Sequence, residues 1–274
     1  MEQNIHFGKV ILAGAGCGDP ELITVKAARY LREADIVITD RLVSQTILDT
    51  YVASSVPIIY VGKQYEQIGS TPQIDINQII VDAASKHKLV VRLKGGDIAF
   101  FSNILDELQT LNQHGIAYEL VPGITAASGA SAYAGIPLTA RGFATSVRFL
   151  TNYSSTVVTN TYWKDLAKTS DTLVFYMSIA TLGHLIEKLQ ENGIPSNRKI
   201  AVISQASTPL QQVTIFGFDN YQQVLKEQTF LSPSLVIIGK VVSLHDSFQW
   251  YNNNSNSNEY YFKPVNELAS NSLF

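Results

Sequence analysis

Residues 90–97 read Val-Val-Arg-Leu-Lys-Gly-Gly-Asp, an apolar run that ends in two glycines and one carboxylate. This pattern is typical of a buried strand that stops at a ligand, because glycine has no Cβ and lets a ligand approach the main chain. Asp97 is expected to have no packing role and to bind a hydroxyl or an ammonium group, since such a bond is charge-assisted. The stretch therefore predicts a strand end that binds a nucleotide-like ligand.

The first half of the chain repeats this strand pattern. Amphipathic segments separate the apolar runs. One of them, residues 20–32, is predicted to be a helix that packs on the sheet through Leu22, Val25 and Leu31, which have helical spacing. Strands that alternate with crossover helices predict a mostly parallel sheet. The predicted strands are 9–14, 35–39, 57–61, 89–93 and 117–121.

After residue 123 the pattern changes to a small-residue helix, followed by strands joined by shorter connections. Short connections favour antiparallel neighbours, so a mixed sheet is expected here. The predicted domains are an N-terminal α/β lobe over residues 1–122, a C-terminal α/β lobe over 123–250 and a flexible tail over 251–274. The tail prediction rests on its Asn- and Ser-rich composition. The predicted strands are 146–151, 172–177, 199–204, 211–216 and 234–242.

Composition narrows the classes of partner. The formal net charge of −3 disfavours binding to nucleic acid or to an anionic membrane surface. Cys17 is the single cysteine, so no disulfide can form within the chain, and the first residues lack the pattern of a signal peptide. We therefore expect a cytoplasmic protein with a small-molecule partner.

The first glycine loop, Gly14-Ala15-Gly16, also begins the dinucleotide-binding fingerprint. The third glycine of that fingerprint would fall on Asp19, whose carboxylate would repel a pyrophosphate. A dinucleotide-dependent oxidoreductase is therefore disfavoured.

Three segments in order carry a resemblance to a known family: 10–22 (VILAGAGCGDPEL), 90–97 (VVRLKGGD) and 121–139 (VPGITAASGASAYAGIPLT). Together with the smaller blocks 35–44 and 61–63, they resemble the tetrapyrrole methylases, and among them the uroporphyrinogen-III C-methyltransferases. The resemblance implies a two-lobed α/β fold with a mostly parallel sheet in the first lobe, a mixed sheet in the second and the active-site cleft between them. It also implies a homodimer.

The resemblance further implies the activity. S-adenosyl-L-methionine would methylate C2 and C7 of uroporphyrinogen III, giving precorrin-2 through precorrin-1 in sirohaem and cobalamin synthesis, with no metal ion. The alternatives are another precorrin C-methyltransferase, or a member that binds the cofactor with little catalysis.

Family positions carry over to named residues here. Asp40 would be the proton acceptor, Lys63 the proton donor and Arg141 a bidentate clamp on a substrate carboxylate, although Asp40 and Lys63 could equally bind substrate carboxylates and pyrrole N–H groups. The implied cofactor contacts are Cys17, Gly95, Gly96, Asp97, Phe100, Thr125, Ala126, Met177 and Ala206.

Further cations could bind the substrate, but surface charge is the default reading for Arg92 and Arg148. The other candidates are Arg41 and Lys94. The chain departs from the family pattern at Asn103, where an arginine is usual.

Overall fold

The computed structural model describes residues 6–62, 71–151, 159–252 and 259–262. The chain divides into two compact units, each with its own sheet. Unit 1 comprises Met1–Ala126 with Tyr261–Phe274, and unit 2 comprises Ala127–Tyr260.

Unit 1 is built on a parallel sheet, as predicted. Its five strands stand in the order β3-β2-β4-β1-β5, and every pairing is parallel. The elements are β1 (Lys9–Gly14), α1 (Val25–Glu33), β2 (Ile36–Thr39), α2 (Gln45–Tyr51), β3 (Ile58–Tyr60), α3 (Gln73–Lys86), β4 (Leu89–Lys94), α4 (Ile104–Gln113) and β5 (Tyr118–Val121).

Helices cover both faces of this sheet. Ile11 of β1 belongs to the core cluster of α1 and α2, whereas the next residue, Leu12, belongs to the cluster of α3 and α4. The connections that leave the neighbouring strands β1 and β4 therefore run over opposite faces. Ligands of open α/β sheets bind outside the carboxyl ends of the strands at such a switch point.

The helix predicted to start at residue 20 begins later. Pro20–Leu22 form a short 3₁₀ turn capped by Asp19, and α1 begins at Val25. Thr24 caps α1, since its Oγ1 accepts a hydrogen bond from the Ala27 amide at 3.2 Å. Val25 is 89% exposed, so the prediction that it faces the sheet is wrong.

Unit 2 contains a mixed sheet with the order β6-β7-β10-β8-β9. β6 and β7 are parallel, whereas β10 is antiparallel to β7 and β8, and β9 is antiparallel to β8. The prediction of partly antiparallel pairing is confirmed. The elements are α5 (Ala126–Tyr133), β6 (Val147–Thr151), α6 (Asn160–Lys168), β7 (Thr172–Tyr176), α7 (Leu182–Glu191), β8 (Lys199–Ser204), β9 (Gln212–Gly217), α8 (Tyr221–Glu227), β10 (Ser234–Gly239) and α9 (His245–Phe248).

The predicted tail begins among packed residues. The ring of Tyr251 lies 4.9 Å from that of Tyr133, and Phe262 is buried. The predicted strand over 234–242 ends at Gly239, where a 3₁₀ turn begins. Residues 253–258 and 263–274 of the tail lie outside the described residues.

Candidate active site

The loops that follow β1, β2, β4 and β5 lie at one edge of the sheet in unit 1, because parallel strands end on the same side. We call this edge the glycine edge. It holds seven of the predicted site residues: Cys17, Asp40, Gly95, Gly96, Asp97, Phe100 and Thr125. Ala126, which is also predicted to bind the cofactor, begins α5. Lys63 lies outside the described residues.

Backbone contacts join three loops of the glycine edge. The Gly16 amide donates to the Gly96 carbonyl at 3.0 Å, and the Gly96 amide donates to the Gly16 carbonyl at 2.7 Å. A Cβ built on Gly14 or Gly123 would lie only 2.6 or 2.4 Å from the Gly96 carbonyl oxygen. Glycine is therefore required for the loops to approach this closely.

Gly96 offers its backbone to a ligand. Its φ of 72° is in the left-handed region that favours glycine, and a Cβ built there would meet nothing within 4 Å. At Gly95, by contrast, a Cβ would lie 2.5 Å from the Cβ of Leu42. Bare backbone beside open space fits a cofactor that packs against the main chain.

Asp97 has a structural role. The side chain is buried, with Oδ1 accepting from the Ala99 amide at 2.7 Å and Oδ2 accepting from the Gly123 amide at 2.7 Å. The expectation that it has no packing role is wrong, because it ties the loop after β4 to the loop after β5. Each carboxylate oxygen can accept a second hydrogen bond, so cofactor binding by Asp97 stays a prediction.

Asp40 lies beside a buried arginine. Its Oδ1 accepts from the Leu42 amide at 3.0 Å, and its Oδ2 lies 3.9 Å from Nη1 of Arg92. Arg92 is 3% exposed and its Nε donates to Glu107 at 3.2 Å. The default reading of Arg92 as a surface charge is wrong, because the guanidinium is enclosed under the glycine edge with carboxylate partners.

Glu107 of α4 also pairs with Lys94. Nζ of Lys94 donates to the two carboxylate oxygens of Glu107 at 3.0 and 3.1 Å. Burial lowers the pKa of Lys94, the neighbouring Arg92 lowers it further, and Glu107 opposes both effects. We call Arg92, Lys94 and Glu107 the buried ion cluster. The sequence interpretation did not single out Glu107, although Ile104, Leu108 and Leu111 have the apolar spacing of a helix that would carry it.

The strands β6, β7 and β8 also end on one side of their sheet, since β10 runs antiparallel to both β7 and β8. We call this second edge the mixed-sheet edge. Met177 follows β7, is 63% exposed and has a φ of 52°. Ala206 follows β8 and is flanked by Gln205 and Ser207, at φ values of 51° and 57°.

Non-glycine residues at positive φ cost about 1–3 kcal/mol each and cluster at functional sites. Met177 and Ala206, both predicted cofactor contacts, thus lie in loops with this signature. A further contact supports the loop that starts at Met177, because the hydroxyl of the preceding Tyr176 accepts from the Ala127 amide at 3.0 Å. Sequence analysis missed Tyr176.

The remaining predicted cations differ in their surroundings. Arg141 is exposed in a tight turn that Ala140 and Ala144 close with reciprocal backbone hydrogen bonds. Arg148 donates to Asp171 at 2.5 Å and also to Asp165, and both bonds raise its pKa. Arg148 therefore forms ion pairs within unit 2, and its side chain is only partly exposed to solvent.

Asn103, which stands where the resemblance implies an arginine, is the residue that precedes α4. Its side chain is exposed and its φ is 52°, a value that asparagine tolerates better than most residues. Within the described ranges, no three His, Cys, Asp or Glu side chains are grouped to hold a metal ion. None of the described helices combines the length and apolar character needed to cross a bilayer.

Comparison with known proteins identifies the family. The family model described as Tetrapyrrole (Corrin/Porphyrin) Methylases matches residues 9–218. A siroheme synthase from Pseudoalteromonas atlantica is 43% identical over 250 residues, which is 91% of this chain and 54% of the relative. The chain thus spans about half the length of the curated relatives it matches.

Solved structures agree in fold. A Thermus thermophilus uroporphyrin-III C-methyltransferase complexed with S-adenyl homocysteine has a TM-score of 0.70 and 31% identity, with 86% of this chain and 93% of that chain covered. A cobalt precorrin-4 methyltransferase has a TM-score of 0.74 at 22% identity, with 85% and 95% covered, and shows the shared fold alone. With the family model matching most of its length, the chain belongs to the tetrapyrrole methylase family.

Proposed function

We propose that this chain transfers methyl groups from S-adenosyl-L-methionine to C2 and C7 of uroporphyrinogen III and forms precorrin-2 through precorrin-1. The observation that carries the proposal is the glycine edge, where three loops are joined through Gly14, Gly16, Gly96 and Gly123 and the backbone of Gly96 faces open space. The 31% identity with the Thermus thermophilus uroporphyrin-III C-methyltransferase supports the choice of substrate.

The glycine edge suits the cofactor chemically. When bound, S-adenosyl-L-methionine supplies a methyl group on a positively charged sulfur. Gly95 and Gly96 present main chain without side chains, and the half-exposed ring of Phe100 offers an apolar, electron-rich face to an adenine or a cation. Cys17, Thr125, Ala126, Met177 and Ala206 complete the proposed set of contacts.

Asp40 is the proposed proton acceptor. The Leu42 amide fixes one carboxylate oxygen and Arg92 lies beside the other, so the carboxylate is held in one orientation at the strand end. Proton transfer of this kind contributes about 10²- to 10⁴-fold, whereas orientation of the reactants can contribute more. Lys63 as proton donor and Arg141 as clamp on a propionate or acetate complete the proposed catalytic set.

The proposed setting is sirohaem synthesis, because the matched relatives are siroheme synthases. A role in cobalamin synthesis has weaker support, since the precorrin-4 methyltransferase resembles this chain in fold alone. We further propose a cytoplasmic homodimer that acts on a free tetrapyrrole and uses no metal ion.

An anaerobic assay with uroporphyrinogen III and S-adenosyl-L-methionine labelled on the methyl group tests the proposal. The expected product carries two labelled methyl groups, and Asp40→Asn is expected to lower kcat while adenosylhomocysteine affinity is kept. Binding of adenosylhomocysteine without methyl transfer to uroporphyrinogen III or to any precorrin would identify a non-catalytic member. Transfer to a later precorrin, but not to uroporphyrinogen III, would identify a different methyltransferase of the family.

A further inference from the structure

We infer that Tyr251 is a positioning residue for the cofactor loop of unit 2, and that the C-terminal segment, residues 250–252 and 259, holds that loop in its binding conformation. The loop is the β8–β9 loop, residues 205–211, which contains Ala206. The inference rests on the proposed function, because the loop matters for binding only if the chain binds adenosylmethionine.

The β8–β9 loop has a costly conformation. Gln205 and Ser207 both have positive φ, and both are buried. The loop also encloses the side chains of Thr208 and Gln211, which are buried as well. A loop with strained backbone and buried polar groups keeps one conformation only where its surroundings fix it.

Two of the fixing contacts come from the C-terminal segment. The hydroxyl of Tyr251 donates to the Thr208 carbonyl at 3.1 Å, and Nε2 of Gln205 donates to the Glu259 carbonyl at 3.0 Å. These two contacts reach the loop on both sides of Ala206, since Gln205 precedes it and Thr208 follows it. The segment therefore restrains the part of the loop that carries the predicted cofactor contact.

The same segment reaches α5, whose first residue, Ala126, is also a predicted cofactor contact. The ring of Tyr133, the last residue of α5, lies 5.2 Å from the ring of Trp250 and 4.9 Å from that of Tyr251. The Tyr133 carbonyl in turn accepts from Nε2 of Gln211 at 3.3 Å. Tyr251 thus contacts the loop directly and also through the end of α5.

The test compares Tyr251→Phe with a control, Tyr260→Phe. The control also removes a tyrosine hydroxyl, but from an exposed ring in the same part of the chain. Isothermal titration with adenosylhomocysteine and thermal unfolding are measured on the full chain. Loss of one hydrogen bond that orders the loop is expected to weaken adenosylhomocysteine binding about five-fold in Tyr251→Phe. Tyr260→Phe is expected to bind within about two-fold of the parent.

A second variant, Gln205→Met, removes the amide that donates to Glu259 and is expected to weaken adenosylhomocysteine binding in the same direction. If both variants lower the melting temperature but bind adenosylhomocysteine as the parent does, the contacts serve stability only and the inference is overturned. If the parent itself does not bind adenosylhomocysteine, the proposed function fails, and the inference fails with it. Weaker adenosylhomocysteine binding with an unchanged KM for uroporphyrinogen III supports the positioning role. A loss of folded protein would lower the number of binding sites and would change neither the dissociation constant nor the KM.

Discussion

The glycine edge of unit 1 and the mixed-sheet edge of unit 2 hold their loops by different means. At the glycine edge, bare backbones touch at Gly14, Gly96 and Gly123, above a buried ion cluster. At the mixed-sheet edge, Gln205 and Gln211 hold the loop through neutral amide hydrogen bonds. The comparison shows that close backbone approach leaves a glycine signature in the sequence, whereas side-chain support leaves none.

The largest effect is expected from breaking the ion cluster below the glycine edge. Glu107→Gln removes the carboxylate that Arg92 and Lys94 share and leaves these two buried cations with only the more distant Asp40, 3.9 Å from Arg92. This is expected to cost about 3–5 kcal/mol of unfolding free energy. Urea unfolding measures this loss. Glu33→Gln is the control, because Glu33 forms an exposed ion pair with Arg29 at 3.8 Å. This variant should lose about 0.5 kcal/mol or less. Equal losses in the two variants would show that the cluster adds nothing beyond a surface pair.

The glycine contacts should give the next largest effect. Gly123→Ala places a Cβ 2.4 Å from the Gly96 carbonyl oxygen, and the obstacle is backbone that cannot rotate away. The expected loss of unfolding free energy is about 2–3 kcal/mol, accompanied by weaker adenosylhomocysteine binding.

Gly183→Ala is the matched control for Gly123→Ala. Gly183 lies in α7, and its new Cβ would lie 3.5 Å from Cδ1 of Leu225, an ordinary contact. Alanine is the better helix former, so this variant is expected to gain about 0.5–1 kcal/mol. The two alanine variants should therefore shift the urea midpoint in opposite directions, and shifts in the same direction would contradict the role given to Gly123.

The amide support of the mixed-sheet edge should give a smaller loss. Gln211 accepts from the Ser207 amide at 2.8 Å and donates to the Tyr133 carbonyl at 3.3 Å. Gln211→Met leaves both backbone groups without this partner and is expected to cost about 1–2 kcal/mol in urea unfolding. Gln223→Met, which removes an exposed amide that pairs with Glu227 on α8, should change the unfolding free energy by about 0.5 kcal/mol or less. A loss in Gln211→Met no larger than in this control would mean that the loop does not depend on the amide.

The difference between the edges also explains what could be predicted from the sequence. The parallel sheet follows from apolar β-branched runs separated by amphipathic segments, and the Gly95-Gly96 turn follows from the need for bare backbone at a strand end. The mixed sheet follows from short connections, such as the one between β8 and β9. These features are local in sequence, so local patterns are enough to find them.

The remaining features depend on contacts between distant residues. Asp97 binds the Gly123 amide 26 residues away. Arg92 pairs with Glu107, 15 residues away, and the apolar spacing that indicates the helix does not indicate this partner. Gln205 and Met177 adopt positive φ without being glycine, so composition does not mark them. The support of the β8–β9 loop by Tyr251 likewise depends on a contact with Thr208, 43 residues earlier in the chain.

The smallest effect concerns pH, where the two units should behave alike. Hydrogen bonds from Lys26, Lys9 and Tyr30 lower the pKa of Glu119 in unit 1 from 4.5 to about 2, and hydrogen bonds from Ser146 and Arg148 lower that of Asp171 in unit 2 from 3.8 to about 2. A carboxylate with a lowered pKa in the folded state stabilises fully above its unfolded pKa and loses this contribution as the pH falls through the folded value.

Glu119→Gln should therefore be less stable than the parent at about pH 6, and the difference should shrink between about pH 4.5 and about pH 2. Asp171→Asn should follow the same course from a slightly lower pH, because the ordinary pKa of aspartate is lower. Melting temperatures followed by circular dichroism at several pH values measure both, with the exposed Glu187→Gln as control. A difference that stays constant or grows as the pH falls would mean that these carboxylates are not held in their charged form by the fold. If the stability difference depends on pH in one variant alone, the two units differ in their response to acid, as they differ in how they hold their loops.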